Sequence, residues 1–263
     1  MPCRMFGSKG FLSEQLQEQY HRDGFIILPS VFSPQEVAEF QSEADRLLQQ
    51  VDLIHKSNIR CRWKNNEETG TLRFDGFDPV IDISPVFERL ARDERILGAI
   101  SSVYGERGFL VMDRLIFKPP GAQGYGLHQD YISWPSFPKS FTTVIAAIDV
   151  ANSTTGGTEM FPGFHHCGCM APQDGRYHEL SRDQVDIRKG VILPLAPGDL
   201  AVFSGFTPHR SAPNRSKRWR RLLYLSYNAA SDGGDQRDAI YSHYKVRLME
   251  TLSKLGRPNL FFR

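Results

Sequence analysis

The stretch Tyr125-Gly-Leu-His-Gln-Asp-Tyr-Ile-Ser-Trp134 carries an imidazole and a carboxylate two residues apart, His128 and Asp130, in an apolar and aromatic setting. Such a setting reads as a β-strand, and alternate side chains of a strand point to the same face. The tips of His128 and Asp130 can therefore chelate one metal ion. A third ligand lies far downstream. The turn Ala196-Pro-Gly-Asp199 precedes the apolar run Leu200-Ala-Val-Phe203, and His209 follows. Two histidines and one carboxylate on one side of an ion make the facial triad of non-haem Fe(II) oxygenases, in which positions stay open. His209 can join the pair only in a fold that sets sequence-distant strands side by side.

The surrounding sequence supplies such strands. Residues 109–118, 125–133, 142–150, 191–195, 200–203 and 220–228 have strand-like periodicity, with Gly, Pro, Asn and Asp clusters between them. Many short strands followed by one helix predict a mainly β fold with flanking helices, a sandwich or jelly roll. Residues 164–190 form a polar excursion, expected to be a lid or a long surface loop.

Upstream the pattern is helical. Ser13 caps a helix to Arg22 that stops at Gly24, and Phe25-Ile-Ile-Leu28 is a short buried strand. Ser33-Pro-Gln-Glu36 is a capping box with proline at the first helical position, and Val37, Phe40, Ala44, Leu47 and Val51 form its apolar face. Residues 52–80 lose periodicity and are expected to be irregular. Two more short helices start at Ser84-Pro85 and at Asp93-Glu94. A final helix spans 235–255, with Ile240, Tyr244, Leu248, Leu252 and Leu255 on one stripe. The expected organisation is a single domain over 1–263. Its N-terminal part (1–105) is mostly helical, 106–230 is the β core, and 235–263 is the C-terminal helix.

Composition narrows the partners. A formal charge of +2 on 263 residues gives no broad basic field, so neither nucleic acid nor a membrane surface is expected. Four cysteines are too few for a disulfide scaffold, and Cys167-Gly-Cys169 has no second pair at metal-site spacing. Residues 1–10 lack an apolar leader core, and no run reaches the length of a membrane span. A soluble cytoplasmic protein acting on a small molecule is the expectation.

An open ferrous site leaves room for a chelating 2-oxo acid and for dioxygen. A dicarboxylic 2-oxo acid also needs an anchor for its far carboxylate, and a guanidinium binds that group bidentately. Arg220 lies eleven residues after His209 and opens the last strand, where it alternates against Arg221. Only one of the two can face inward. Ser211, two after His209, offers a hydroxyl to the same carboxylate. Arg215, Lys217 and Arg218 read as a solvated edge. A catalytic zinc site would use the same three ligands, so a metal-dependent hydrolase or lyase stays open. So does a barrel that only binds a ligand.

His128-Gln-Asp130, Pro197-Gly-Asp199, His209-Arg-Ser211 and Arg220, with Asp23-Gly-Phe-Ile-Ile-Leu-Pro29 and Phe32-Ser-Pro-Gln-Glu36, resemble the phytanoyl-CoA dioxygenase family of Fe(II)/2-oxoglutarate oxygenases. The resemblance implies a cupin-like double-stranded β-helix. It also implies Fe(II) held by His128, Asp130 and His209, and 2-oxoglutarate paired with Arg220. Family members hydroxylate aliphatic carbons. In chlorinating relatives a small residue replaces the metal carboxylate, and Asp130 therefore implies hydroxylation. Trp134 is similar to a pocket tryptophan of ectoine hydroxylases, and residues 223–237 resemble aminophosphonate hydroxylases. A small amine, amino acid or aminophosphonate is the expected substrate, with an acyl-CoA or a natural product as alternatives. Trp134 is expected in the substrate wall, Arg60, Lys64 or Arg73 beside an anionic group, and Tyr125 near the keto acid. His165 and His166 are expected at a rim.

Overall fold

The computed structural model describes residues 11–65, 69–134, 137–257 and 259–263; the reading of residues 1–10, with Cys3, lies outside them. Four helices precede the β core, each started by a residue that satisfies backbone N–H groups left free at a helix end. Ser13 caps α1 (Glu14–Asp23), and Gly24 ends it at φ 83°, a left-handed conformation that only glycine adopts readily. Ser33 and Glu36 close the capping box of α2 (Pro34–Leu48). The expected face of α2 extends one turn too far, because the helix stops at Leu48 and Val51 is exposed. Ser84 caps α3 (Pro85–Ala91), and Asp93 caps α4 (Glu94–Tyr104).

Eleven strands form two antiparallel sheets among the described residues. In chain order they are β1 (Phe25–Leu28), β2 (Cys61–Asn65), β3 (Leu72–Phe77), β4 (Gly108–Lys118), β5 (Tyr125–His128), β6 (Thr142–Ala147), β7 (Thr158–Met160), β8 (Val191–Ile192), β9 (Leu200–Ser204), β10 (His209–Ser211) and β11 (Arg220–Ala229). The large sheet runs β1-β9-β6-β11-β4-β3-β2, and the small one β5-β10-β7-β8. Neighbours in space are remote in sequence, which is the jelly-roll arrangement.

Alternation sorts the core. On one face of the large sheet, Val144, Ala146, Leu200, Val202, Leu223, Leu225 and Tyr227 pack with the apolar faces of α1–α4. The other face presents Ile145, Ala147, Ala201, Phe203 and Leu222 to the small sheet, where Met160 meets them. The central strands are therefore buried on both faces, one by helices and the other by the second sheet. Each fully buried Leu, Val or Phe contributes about 1.5–3 kcal/mol, enough to fix the register.

Several expectations need correction. Residues 61–65 and 72–77 are not irregular: β2 and β3 extend the large sheet beyond β4. A bulge between Arg62 and Trp63 breaks their alternation, and charged residues hide the strands in sequence. The final helix, α5 (Arg237–Lys254), buries only Ile240 and Tyr241. Tyr244 turns to a cavity, and Leu255 is exposed, so the long apolar stripe does not form. The excursion 164–190 has a small core of its own, with Leu180 and Val185 packed on Leu127 and Phe161. No helix among the described residues is long and apolar enough to cross a membrane.

Candidate metal centre and active site

His128 closes β5 and sits directly opposite His209 on β10. Both imidazoles use Nδ1 on a backbone carbonyl, His128 on Gly126 at 2.8 Å and His209 on Thr207 at 3.0 Å. A ring whose Nδ1 donates a proton keeps the Nε2 lone pair for a metal. The two Nε2 atoms each lie 3.8 Å from Oδ1 of Asp130. All three ligand atoms fall within 4.8 Å of one another.

Asp130 reaches this position by a route that strand alternation does not describe. β5 ends at His128, and the chain then leaves the sheet. Gln129 donates to the carbonyls of Gly168 and Phe206 and accepts from the Met170 N–H, while the Tyr131 N–H donates to Gly205. The bend held by these bonds turns Asp130 back toward the histidines. Its Oδ2 accepts from Thr143 at 3.1 Å, and Thr143 in turn meets Ser226 at 2.9 Å.

Burial drives the His128 imidazole well below its ordinary pKa, and the nearby His209 adds to this against the pull of Asp130. Burial alone would raise Asp130, but His209, Arg114 and His128 outweigh it and hold the carboxyl below its usual range. A neutral imidazole beside an ionised carboxylate is the protonation state a divalent cation requires. The donor set, its spacing and its charge fit one ferrous ion with coordination positions left open.

Beside the triad lies a cavity of about 420 Å³ between the sheets. One wall comes from β4 and β11, where Arg220 faces Lys118, Leu222 faces Ile116, Tyr224 faces Arg114 and Ser226 faces Met112. Every one of these residues shares the face of Leu222, which belongs to the core between the sheets. Arg220 therefore points inward and is only 1% exposed. Arg221 points to the helix layer and pairs with Asp149 and Asp45.

Arg220 and Lys118 sit just behind Ser211 and Tyr224, which line the cavity. The Lys118 ammonium donates to Ser211 Oγ and the Gly156 carbonyl, each at 3.0 Å, and also to Ala212. Arg220 reaches Tyr224 Oη at 3.5 Å, while its buried Nε donates to nothing among the described residues. A lysine and an arginine facing each other under cover, the arginine with an idle donor, fit an anion such as a carboxylate. Lys118 escaped the sequence reading. Its signal is the two-residue period of Met112, Arg114, Ile116 and Lys118, which becomes informative only once β4 is paired with β11.

The remaining expected residues separate. Tyr125 lines the cavity and donates its hydroxyl to Asp75, and its N–H bonds Ser211 Oγ at 3.1 Å. Trp134 lines the cavity and also packs in a core with Phe137 and Ile240. Arg73 does not reach the cavity: it sits opposite Lys64 near the open end of β3, is exposed, and bonds the Pro120 carbonyl at 3.4 Å. Arg60 is buried beneath Pro79 and Asp82, away from the cavity wall. Lys64 does line it, with its ammonium over the Tyr125 ring. His165 and His166 stack on each other, and His165 bonds the His21 carbonyl on the surface. Arg62, Arg114, Asp75, Asp78, Tyr177 and Glu179 are wall residues that sequence reasoning did not place there.

Comparison with known proteins gives this geometry its class. The family profile described as phytanoyl-CoA dioxygenase matches residues 20–222, and the chain belongs to that family of oxygenases. A 2-aminoethylphosphonate dioxygenase from an uncultured bacterium is 25% identical over 237 residues, 87% of this chain and 86% of that protein. A methylphosphonate hydroxylase from Gimesia maris is 26% identical over 240 residues, 88% of this chain and 86% of the relative. Among solved structures, EctD from S. alaskensis with 2-oxoglutarate and 5-hydroxyectoine superposes with a TM-score of 0.71. It shares 23% identity and covers 86% of this chain and 79% of its own.

Proposed function

We propose that the protein is an Fe(II)- and 2-oxoglutarate-dependent dioxygenase that hydroxylates an aliphatic carbon of a small polar metabolite. The observation that carries this reading is the pairing of an open His128–Asp130–His209 triad with a separate, covered pair of basic side chains just behind the wall of the same cavity. A hydrolase needs the triad alone, whereas a chelating dicarboxylic co-substrate needs both. His128, Asp130 and His209 would hold the iron. Arg220, with Lys118 and Ser211, would hold the far carboxylate of 2-oxoglutarate.

Iron and 2-oxoglutarate together would couple decarboxylation, yielding succinate and carbon dioxide, to transfer of one atom of dioxygen into a C–H bond of the substrate. The chain's own part is positioning. The carbonyls of Gly126 and Thr207 fix the tautomers of the two histidines. Thr143 orients Asp130 and keeps its second oxygen occupied. Lys118 and Arg220 exclude water and orient the co-substrate from behind. Trp134, Tyr177 and Tyr244 border the space left for the substrate. That space is near the lower end of ligand cavities, roughly 300–1,000 Å³, and it suits two small molecules better than a long acyl chain.

The test is oxygen uptake with 2-oxoglutarate across small amines, amino acids and phosphonates, with product mass measured under labelled dioxygen. The expected product gains one oxygen atom from dioxygen in step with succinate, and added chloride leaves it unchanged. A chlorinated product, or oxygen derived from water alone, contradicts the reading.

A further inference from the structure

Farther along the same sheet, the cavity wall holds a second set of cations that the iron and co-substrate roles leave unused. Arg62 comes from β2 and Arg114 from β4, and both converge on Asp78: Arg62 Nη1 donates to Oδ2 at 3.2 Å, and Arg114 Nε lies 3.5 Å from the same oxygen. The other oxygen of Asp78 accepts from Tyr241 at 3.1 Å. Tyr241 in turn takes the Asp113 N–H at 2.9 Å, so the bridge is braced from α5 and the sheet together. Asp75 is also engaged, by the Tyr125 hydroxyl and at 3.8 Å by Arg62 Nε.

Formal charges on this wall nearly cancel, so net charge does not choose the ligand. Hydrogen-bonding capacity does. Both aspartates have donors, whereas Arg62 Nε, Arg114 Nε and Trp63 Nε1 are buried and donate no hydrogen bond among the described residues. The two arginine nitrogens face the aspartates at ion-pair distance, while the Arg62 and Arg114 side chains stay 30% and 21% exposed where they line the cavity, so their remaining N–H groups are open to a ligand rich in acceptors. A planar guanidinium meets a carboxylate or phosphonate through parallel N–H bonds. The site is also separate from the Lys118–Arg220 pair. Arg114 and Lys118 are four residues apart on β4, roughly 13 Å at strand rise. Arg114 lies close enough to Asp130 to influence its charge, so an acid held there sits beside the metal ligands.

We infer that Arg62 and Arg114, bridged by Asp78, form a clamp for the acid group of the primary substrate. The substrate is then a small carboxylic or phosphonic acid, and a simple amine or a neutral molecule is not. This inference rests on the oxygenase reading, because it assigns to the substrate the space left beside iron and 2-oxoglutarate.

The test is calorimetric titration of the anaerobic protein loaded with Fe(II) and saturating 2-oxoglutarate, so that the Lys118–Arg220 pair is filled and nothing turns over. The probes are β-alanine, 4-aminobutyrate and 2-aminoethylphosphonate, set against β-alaninamide, 4-aminobutanamide and propylamine. At least one acid should bind while its neutral or amine counterpart binds about tenfold more weakly or not at all. Arg62→Ala should remove that preference, Arg62→Lys should keep part of it, and Arg89→Ala, in a surface pair with Glu39, should leave it whole. Arg62→Lys retains a cation against Asp78, so it reports on recognition even if Arg62→Ala folds poorly. Acids that fail to bind, or that bind no better than the amides, overturn the clamp. So does a preference that survives in Arg62→Ala. The charge-transfer band of the iron–2-oxoglutarate complex, recorded on the same samples, separates the two readings: its absence strikes the oxygenase assignment, and its presence without acid preference strikes only the clamp.

Discussion

At the covered end of the cavity, Arg220 and Lys118 face each other on paired central strands, each 1–2% exposed and fixed by sheet register. Farther along the same sheet, Arg62 stands on the edge pair β2–β3, beside a bulge, and shares the carboxylate of Asp78 with Arg114 of β4. The covered end has basic groups without a carboxylate partner, and the Arg62–Arg114 pair has one in Asp78. A site of the first kind suits a ligand that never changes, such as a common co-substrate. The second kind, carried in part on the edge strand β2, suits a ligand that differs from one enzyme to the next.

The largest expected effect breaks the covered end. Arg220→Ala should weaken 2-oxoglutarate binding by at least about tenfold, from the loss of charge-assisted hydrogen bonds in a dry site. Arg221→Ala should cost stability through Asp149 and Asp45 yet leave 2-oxoglutarate affinity nearly unchanged. Titration of both variants with the keto acid measures this, and equal losses would refute the inward–outward assignment.

A smaller effect sharpens the same contrast through pH. Burial, reinforced by Arg220 and Lys64, pushes the Lys118 ammonium down to about 6. Above that pH the ligand-free lysine is neutral, and an arriving carboxylate favours its charged form. Binding of 2-oxoglutarate should therefore take up about one proton at mildly alkaline pH, and affinity should fall as pH rises from about 6. Calorimetry in buffers of different ionisation enthalpy counts the proton, and Lys118→Met should abolish the uptake. No such uptake is expected at Arg62 and Arg114, arginines that stay charged throughout.

The sequence made the candidate ligands His128 and Asp130, and Arg220, legible because their evidence is local, whereas His209 entered through the family resemblance. The two-residue spacing of His128 and Asp130, and a strict alternation from Arg220 to Asn228, need no knowledge of partners. Even so, Asp130 arrives through a bend held by Gln129 rather than along a strand. Lys118 was hidden because its meaning depends on which strand lies beside β4, a contact between residues about a hundred positions apart. β10 was hidden by its length of three residues, and β2 and β3 by a bulge and by charged side chains that serve the cavity instead of the core. Arg73 shares the face of Lys64 but lies beyond the cavity, a distance that spacing does not reveal. The second half of α5 misled in the opposite way, since its apolar residues repeat at helical spacing but meet little to pack against.

The central claim is that His128, Asp130 and His209 hold ferrous iron so that 2-oxoglutarate can chelate it beside Arg220. Anaerobic titration of the protein with Fe(II), followed by 2-oxoglutarate, tests it directly by visible absorption. One iron per chain and a metal-to-ligand charge-transfer band that saturates with 2-oxoglutarate are expected in the wild type, with both lost in His209→Ala. Wild-type protein that binds iron without developing the band, or His209→Ala protein that keeps both, would contradict the account.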